Sequence, residues 1–114
     1  MGKKKLKGNK DAIGDPNKPR LSLIPKEALW ALGSALTTGE ARYGAQNWRG
    51  GIPLSVLCDA AMRHITQFID GEDMDEQSKT HHLGCAMANL SFAISLHAKM
   101  PSCDDRYKKK GKKK

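Results

Sequence analysis

The chain has 114 residues, enough for one ordinary domain and too few for a second core. Its formal charge of +8 comes from the ends: Lys3, Lys4, Lys5, Lys7 and Lys10, with Lys108, Lys109, Lys110, Lys112, Lys113 and Lys114, hold 11 of the 20 basic residues, while residues 11–107 carry 9 basic against 12 acidic. In that acidic body no folded basic face is visible, and no run approaches the roughly 20 apolar residues of a membrane span.

Residues 1–17 read as a disordered basic arm, because lysines repel one another and offer no apolar surface to bury. Two roles fit such tails: solubility, or a loose, salt-sensitive attraction to nucleic acid through phosphate. The lysine-rich start continues into Gly, Asn and Asp instead of an apolar signal core, and Cys58, Cys85 and Cys103 are odd in number and widely spaced. A cytoplasmic protein with reduced thiols, no membrane association and no zinc-type cysteine pairs is expected, with Cys58 and Cys85 packed among apolar neighbours.

An all-α domain is expected over residues 18–100, a small bundle of three main helices with a glycine-rich loop. The first helix starts at Pro25, where a missing N–H costs nothing, and its stripe of Ala28, Leu29, Leu32, Ala35 and Leu36 ends near Thr38 or Gly39. From Gly39 to Gly51 four glycines surround Arg42, Tyr43, Trp48 and Arg49, which predicts a loop. Pro53 opens the second helix, and Leu54, Leu57, Cys58, Ala61, Ile65 and Phe68 recur at helical spacing until Asp70 and Gly71 stop it. The third helix is expected after Ser78 as N-cap. Its Leu83, Met87, Leu90 and Ile94 form an apolar stripe assigned to the core, and His82, Ala86, Asn89 and Ala93 form a small, polar stripe assigned to a cleft. Residues 101–114 read as a polar exit and basic tail. A three-helix core is thin, so a homo-oligomer is expected to help cover it.

The segment from Asp70 to His82 carries the densest chemistry. Asp70, Glu72, Asp73, Asp75 and Glu76 place five carboxylates in seven residues ahead of His81 and His82. Hard cations such as Mg2+ or Mn2+ suit such oxygens; a solvated acidic turn favouring the next helix's positive end fits as well. His64 reads either as a satisfied core histidine or as a catalytic group, and His82, sharing its stripe with Asn89, reads more readily as functional. Arg63 suits a carboxylate or a phosphate equally. In the glycine-rich loop, Arg42 and Arg49 offer phosphate contacts, Tyr43 and Trp48 stacking surfaces, and Asn47 a hydrogen bond to a base. The alternative there is that Trp48 plugs the core. No P-loop, G-x-S-x-G or H-E-x-x-H motif occurs, so hydride chemistry and zinc proteolysis have no support.

Taken together, K-P-R-L-S-L-I-P at Lys18–Pro25, Y-G-A-Q-N-W at Tyr43–Trp48, R-H at Arg63 and His64, G-E-D-M-D at Gly71–Asp75 and S-K-T-H-H-L at Ser78–Leu83 resemble the N-terminal-type domain of the phage dATP/dGTP diphosphohydrolase family. The resemblance runs from about Lys18 to His97. It implies metal-dependent hydrolysis of a purine deoxynucleoside triphosphate to monophosphate and pyrophosphate, in phage nucleotide metabolism and therefore in the host cytoplasm. It also implies distant similarity to the all-α MazG-like pyrophosphohydrolases. Those enzymes pair an E-E-x-x-E helix with an E-x-x-D helix, whereas this chain has only Glu72-x-x-Asp75, in a turn, and no His-Asp dipeptide. On this resemblance Glu72 and Asp75 are expected to bind Mg2+ or Mn2+, with His64, His82 and Asp73 catalytic and Arg42, Tyr43, Asn47, Trp48, Arg63 and Asn89 binding substrate. Two other readings stand beside it: a non-catalytic nucleotide-binding module, and a nucleic-acid accessory protein acting through its lysine tails.

Overall fold

The computed structural model describes residue 15 and residues 17–108. Both lysine-rich ends, and so the arm and tail expected there, lie almost wholly outside the described residues. Within them the chain is all-α, with three helices: α1 (Lys26–Tyr43), α2 (Leu54–Ile69) and α3 (His82–Lys99). Short 3-10 turns occupy Leu21–Leu23, Asn47–Gly50 and Pro101–Cys103.

Proline sets the first two starts. Pro25 and Pro53 precede α1 and α2 at φ −57 and −56°, and their carbonyls accept from the first free N–H groups, Ala28 and Leu29 in one case, Val56 and Leu57 in the other. The end of α1 lies beyond the expected stop at Gly39. Gly39 is accommodated inside the helix at a cost of about 1 kcal/mol against alanine. Glu40, Ala41 and Arg42 then continue the helix, and the break falls at Gly44, whose φ of 98° suits only a residue without Cβ. Gly71, at φ 103°, ends α2 where Asp70 and Gly71 were expected to stop it.

The start of α3 is later than expected. Ser78 is committed to Asp75, and His81 caps the helix instead: its Nδ1 accepts from the Leu83 N–H at 3.0 Å.

Helix α3 is the centre of the molecule. It packs along α2 and, less extensively, against α1, while α1 and α2 barely meet. Leu54 and Leu57 near the start of α2 share a core with Leu96 near the end of α3, so the two helices run antiparallel. Burying each such leucine contributes roughly 1.5–3 kcal/mol. Trp48, Ile52, Phe92, Ala93 and Met100 pack around that cluster.

The buried face of α3 is not the predicted one. His82, Gly84, Cys85, Ala86, Ala88 and Leu96 are buried, whereas Leu90 and Ile94 are exposed. The reason is backbone proximity. A Cβ on Gly84 would lie 2.5 Å from the Ala31 carbonyl oxygen, so α1 crosses α3 at a distance only small residues allow. The α1 stripe is correspondingly shallow, with Leu29 exposed and no residue of α1 fully buried. Cys58 is exposed, against expectation, while Cys85 and Cys103 are buried.

The segment after α3 does not simply leave the domain. Cys103 enters the core, and the Asp105 carboxylate accepts from the Ser55 N–H at 3.0 Å and from the Ser55 hydroxyl. A residue fifty positions away thus supplies the cap that Pro53 cannot give α2.

Candidate functional site

Because α1 and α2 lean apart on α3, an open cleft of about 1490 Å³ separates them, with α3 as its floor. All six residues expected to bind substrate line it: Arg42 and Tyr43 from the end of α1, Asn47 and Trp48 from the following turn, Arg63 from α2 and Asn89 from α3. His64 and Asp75 line it as well.

These residues are not equally free. Trp48 is half-buried and stacks on Phe92 at 5.0 Å between ring centroids, with the Arg49 guanidinium 4.6 Å from its ring, so it plugs the core at the edge of the cleft. Arg49 is held in turn by Gln46. Tyr43 is exposed beneath the Arg42 guanidinium, and Asn47 is exposed. Asn89 donates to the Cys85 carbonyl at 2.9 Å. Arg63 is exposed and makes no ion pair among the described residues. Arg42, Arg49 and Arg63 line the cleft alongside Glu40, Asp59 and Asp75, so guanidinium groups suited to phosphate stand among an equal number of carboxylates.

At one wall the α2–α3 hairpin brings His64 and His82 together across eighteen positions, Nδ1 to Nδ1 at 2.9 Å. His82, the first residue of α3, is fully buried. Its other nitrogen, Nε2, lies 3.3 Å from Glu72 Oε1 but is not aligned for a hydrogen bond, and no other partner reaches it. Asp75 completes the cluster: one ligand atom from each of His64, Asp75 and His82 falls within 4.8 Å of the others.

The turn that presents Asp75 is closely held. Its N–H donates to the Thr80 carbonyl at 2.8 Å, its carbonyl accepts from Lys79, and Met74 bridges His81. Lys79 takes φ 62°, a left-handed conformation these bonds enforce. Asp75 Oδ2 accepts from the Ser78 N–H at 2.7 Å and its hydroxyl at 2.8 Å. Since a serine hydroxyl has one proton, given to Asp75, Thr80 Oγ1 must donate to Ser78 at 2.7 Å, leaving Cys85 Sγ, 3.1 Å away, to donate to Thr80.

Burial works to raise the Asp75 pKa, but the Ser78 bonds and the two histidines outweigh it, and the carboxyl is held below its ordinary value. Burial lowers that of His64; Asp75 opposes this, while His82 and Arg63 reinforce it. At neutral pH the site therefore offers an ionised carboxylate beside a neutral imidazole.

Glu72 and Asp73 do not line the cleft. Glu72 sits behind His82 and is not among the three clustered ligand atoms, and Asp73 contributes its main-chain carbonyl, which accepts from the His82 N–H at 2.9 Å. Sequence reasoning missed Ser78 and Thr80 as supports of Asp75; an acidic residue three before a serine, at a turn, is the signal that identifies them.

A family model described as dATP/dGTP diphosphohydrolase, N-terminal, matches residues 8–106. The chain belongs to this family. A dATP/dGTP diphosphohydrolase of Salmonella phage PMBT28 is 34% identical over 92 residues, covering 81% of this chain and 31% of that protein. The chain thus spans about a third of the relative's length. No solved structure matches. In this member of the dATP/dGTP diphosphohydrolase family, the matched region takes in α1, α2, α3 and the whole histidine–aspartate wall. Among the described residues no helix is long and apolar enough to cross a membrane.

Proposed function

We propose that this domain hydrolyses purine deoxynucleoside triphosphates, dATP or dGTP, to the monophosphate and pyrophosphate in phage nucleotide metabolism, with a divalent cation. One observation carries the reading: an ionised carboxylate and a neutral imidazole, Asp75 and His64, share a cleft with the cation of Arg63, which makes no ion pair among the described residues. Phosphoryl transfer needs that combination of anion clamp and water-positioning wall. The relative's name, family membership and the absence of other catalytic motifs support it.

In this reading Arg42 and Arg63 clamp phosphate oxygens. Tyr43 and Asn47 contact the base, Trp48 backs it as a rigid wall, and Asn89 lines the floor. Asp75 would hold the Mg2+ or Mn2+ that accompanies the triphosphate, while Glu72 stands behind His82, outside the cleft. The chemistry such a cation would supply there is charge compensation of the triphosphate and polarisation of a water. His64 faces water or leaving group at the α-phosphorus, His82 fixes the His64 ring through the Nδ1 contact, and Asp73 fixes His82 through its carbonyl. The exposed Leu21, Leu29, Trp30 and Ile94 support a homo-oligomer that covers them.

The test is incubation with each deoxynucleoside triphosphate and Mg2+ or Mn2+, followed by product separation. Monophosphate and pyrophosphate in equal amounts are expected, with Asp75→Asn lowering kcat at least 100-fold and Arg63→Ala acting chiefly on KM. Bound but unconverted nucleotide under every condition refutes hydrolysis and leaves a binding module.

A further inference from the structure

The histidine pair has a chemistry that Mg2+ does not use. Two imidazole nitrogens and one carboxylate converge from three places in the chain: α2, the first residue of α3, and the turn between them. We propose that His64, His82 and Asp75 form a site for one borderline divalent transition cation of the Zn2+ or Co2+ class, with Glu72 as the outer carboxylate that holds His82 in its ligating form. This deepens the reading of that wall as catalytic and rests on it: Asp75 serves a cation in both, and the two histidines are added as ligands that Mg2+ does not favour.

Three features support it. First, the spacing fits. Adjacent ligands around a first-row cation bound at 2.0–2.2 Å stand roughly 3–3.5 Å apart. The 2.9 Å between the two Nδ1 atoms and the 4.8 Å limit of the cluster bracket that range.

Second, the donors fit. Imidazole favours Zn2+, Co2+ and the later first-row cations, whereas Mg2+ and Mn2+ prefer oxygen and Mg2+ keeps its water. With two neutral imidazoles and one carboxylate, the centre carries a single positive charge. Two of the three donors, His64 and Asp75, line the cleft, while His82 is buried behind them.

Third, the protons fit. Ligation through both Nδ1 atoms places the ring protons on Nε2. For His82 that atom is fully buried, lacks an aligned partner and lies 3.3 Å from Glu72 Oε1. A small turn of the Glu72 side chain, which is part-exposed, converts this approach into the carboxylate–histidine–metal arrangement that fixes a tautomer. One proton shared between the facing Nδ1 atoms is the protein-based alternative, and with His64 as donor it also leaves His82 Nε2–H toward Glu72, so metal binding itself distinguishes the two arrangements.

The experiment uses the whole chain, stripped of metal and free of nucleotide, titrated with Co2+. The expected result is a d–d visible spectrum saturating at one equivalent, displaced by Zn2+ and unaffected by millimolar Mg2+. His82 is fully buried, so the variants are placed on more accessible partners: His64→Ala and Asp75→Asn, with folding checked by circular dichroism, should abolish the spectrum. Glu72→Gln should weaken binding 10- to 100-fold. No spectrum with the wild-type chain, a spectrum unchanged in His64→Ala, or a thiolate-to-cobalt charge-transfer band placing the ion on cysteine would each overturn the proposal. Cobalt binding without nucleotide turnover overturns only the hydrolytic reading, and Mg2+-supported turnover without cobalt binding overturns only the metal site.

Discussion

Two helical glycines should respond to the same substitution with opposite signs. Gly84 faces α1: an added Cβ meets Ala31 O at 2.5 Å, Ala31 C at 2.8 Å and Ala31 Cβ at 3.1 Å. The first two are backbone atoms in the middle of a helix and cannot rotate aside, so relief requires α1 and α3 to separate by several tenths of an ångström along their crossing. Overpacking of this kind costs about 2–3 kcal/mol, and alanine's better helix propensity returns about 1, leaving Gly84→Ala roughly 1–2 kcal/mol less stable. For a domain of this size that is a fall in Tm of about 5–15 °C. Gly33 lies in α1 with nothing within 4 Å of its virtual Cβ, so Gly33→Ala gains the propensity alone, about 0.5–1 kcal/mol and a few degrees. Thermal unfolding followed by far-UV circular dichroism reads both. A Gly84→Ala chain as stable as the wild type would refute the close crossing that explains why α3 buries its small face.

Two further predictions test the core and the cap. Leu57→Ala, at a site 3% exposed, should lose 2–5 kcal/mol, whereas Ile94→Ala, 72% exposed although part of the stripe expected inside, should stay within about 0.5 kcal/mol; chemical denaturation distinguishes them. Hydrogen bonds from the Ser55 hydroxyl and N–H hold the Asp105 carboxyl below its ordinary value, so its contribution is full above the unfolded-state pKa and is lost as pH falls through the folded one. Asp105→Ala should therefore be less stable than wild type at neutral pH, with the difference closing on acidification below about pH 4; a pH-independent gap in Tm would show that the cap is not electrostatic.

What was legible in the sequence follows where local chemistry decides. Both ends of α2 were, because Pro53 and the Asp70–Gly71 pair act on the backbone directly. The start of α3 was not: Ser78 has the chemistry of an N-cap, but Asp75, three residues earlier, takes its hydroxyl and amide first. The buried face of α3 was also hidden, since Leu83, Cys85, Met87, Leu90, Phe92, Ile94 and Leu96 surround the helix and periodicity selects no single stripe. In the site, residue type singles out His64, Asp75 and His82 as candidates, but their convergence depends on the antiparallel register of α2 and α3. That register also turns Glu72 toward the back of His82 and away from Asp75's cluster, which no spacing rule reveals.

The polar wall has a thermodynamic consequence for this thin core. Domains of this size have a net stability of roughly 5–13 kcal/mol, and a buried polar nitrogen without an aligned partner costs about 1–3 of that. In His82 that burden falls on the first residue of the central helix, where it also shares the pairing with His64. A ligand that binds only the folded chain adds about 2.7 kcal/mol at one hundred times its Kd, enough to offset the whole penalty. Occupation of this wall and stability of the α2–α3 hairpin are therefore one equilibrium: whatever satisfies the two histidines and Asp75 also fastens α3, the floor of the cleft.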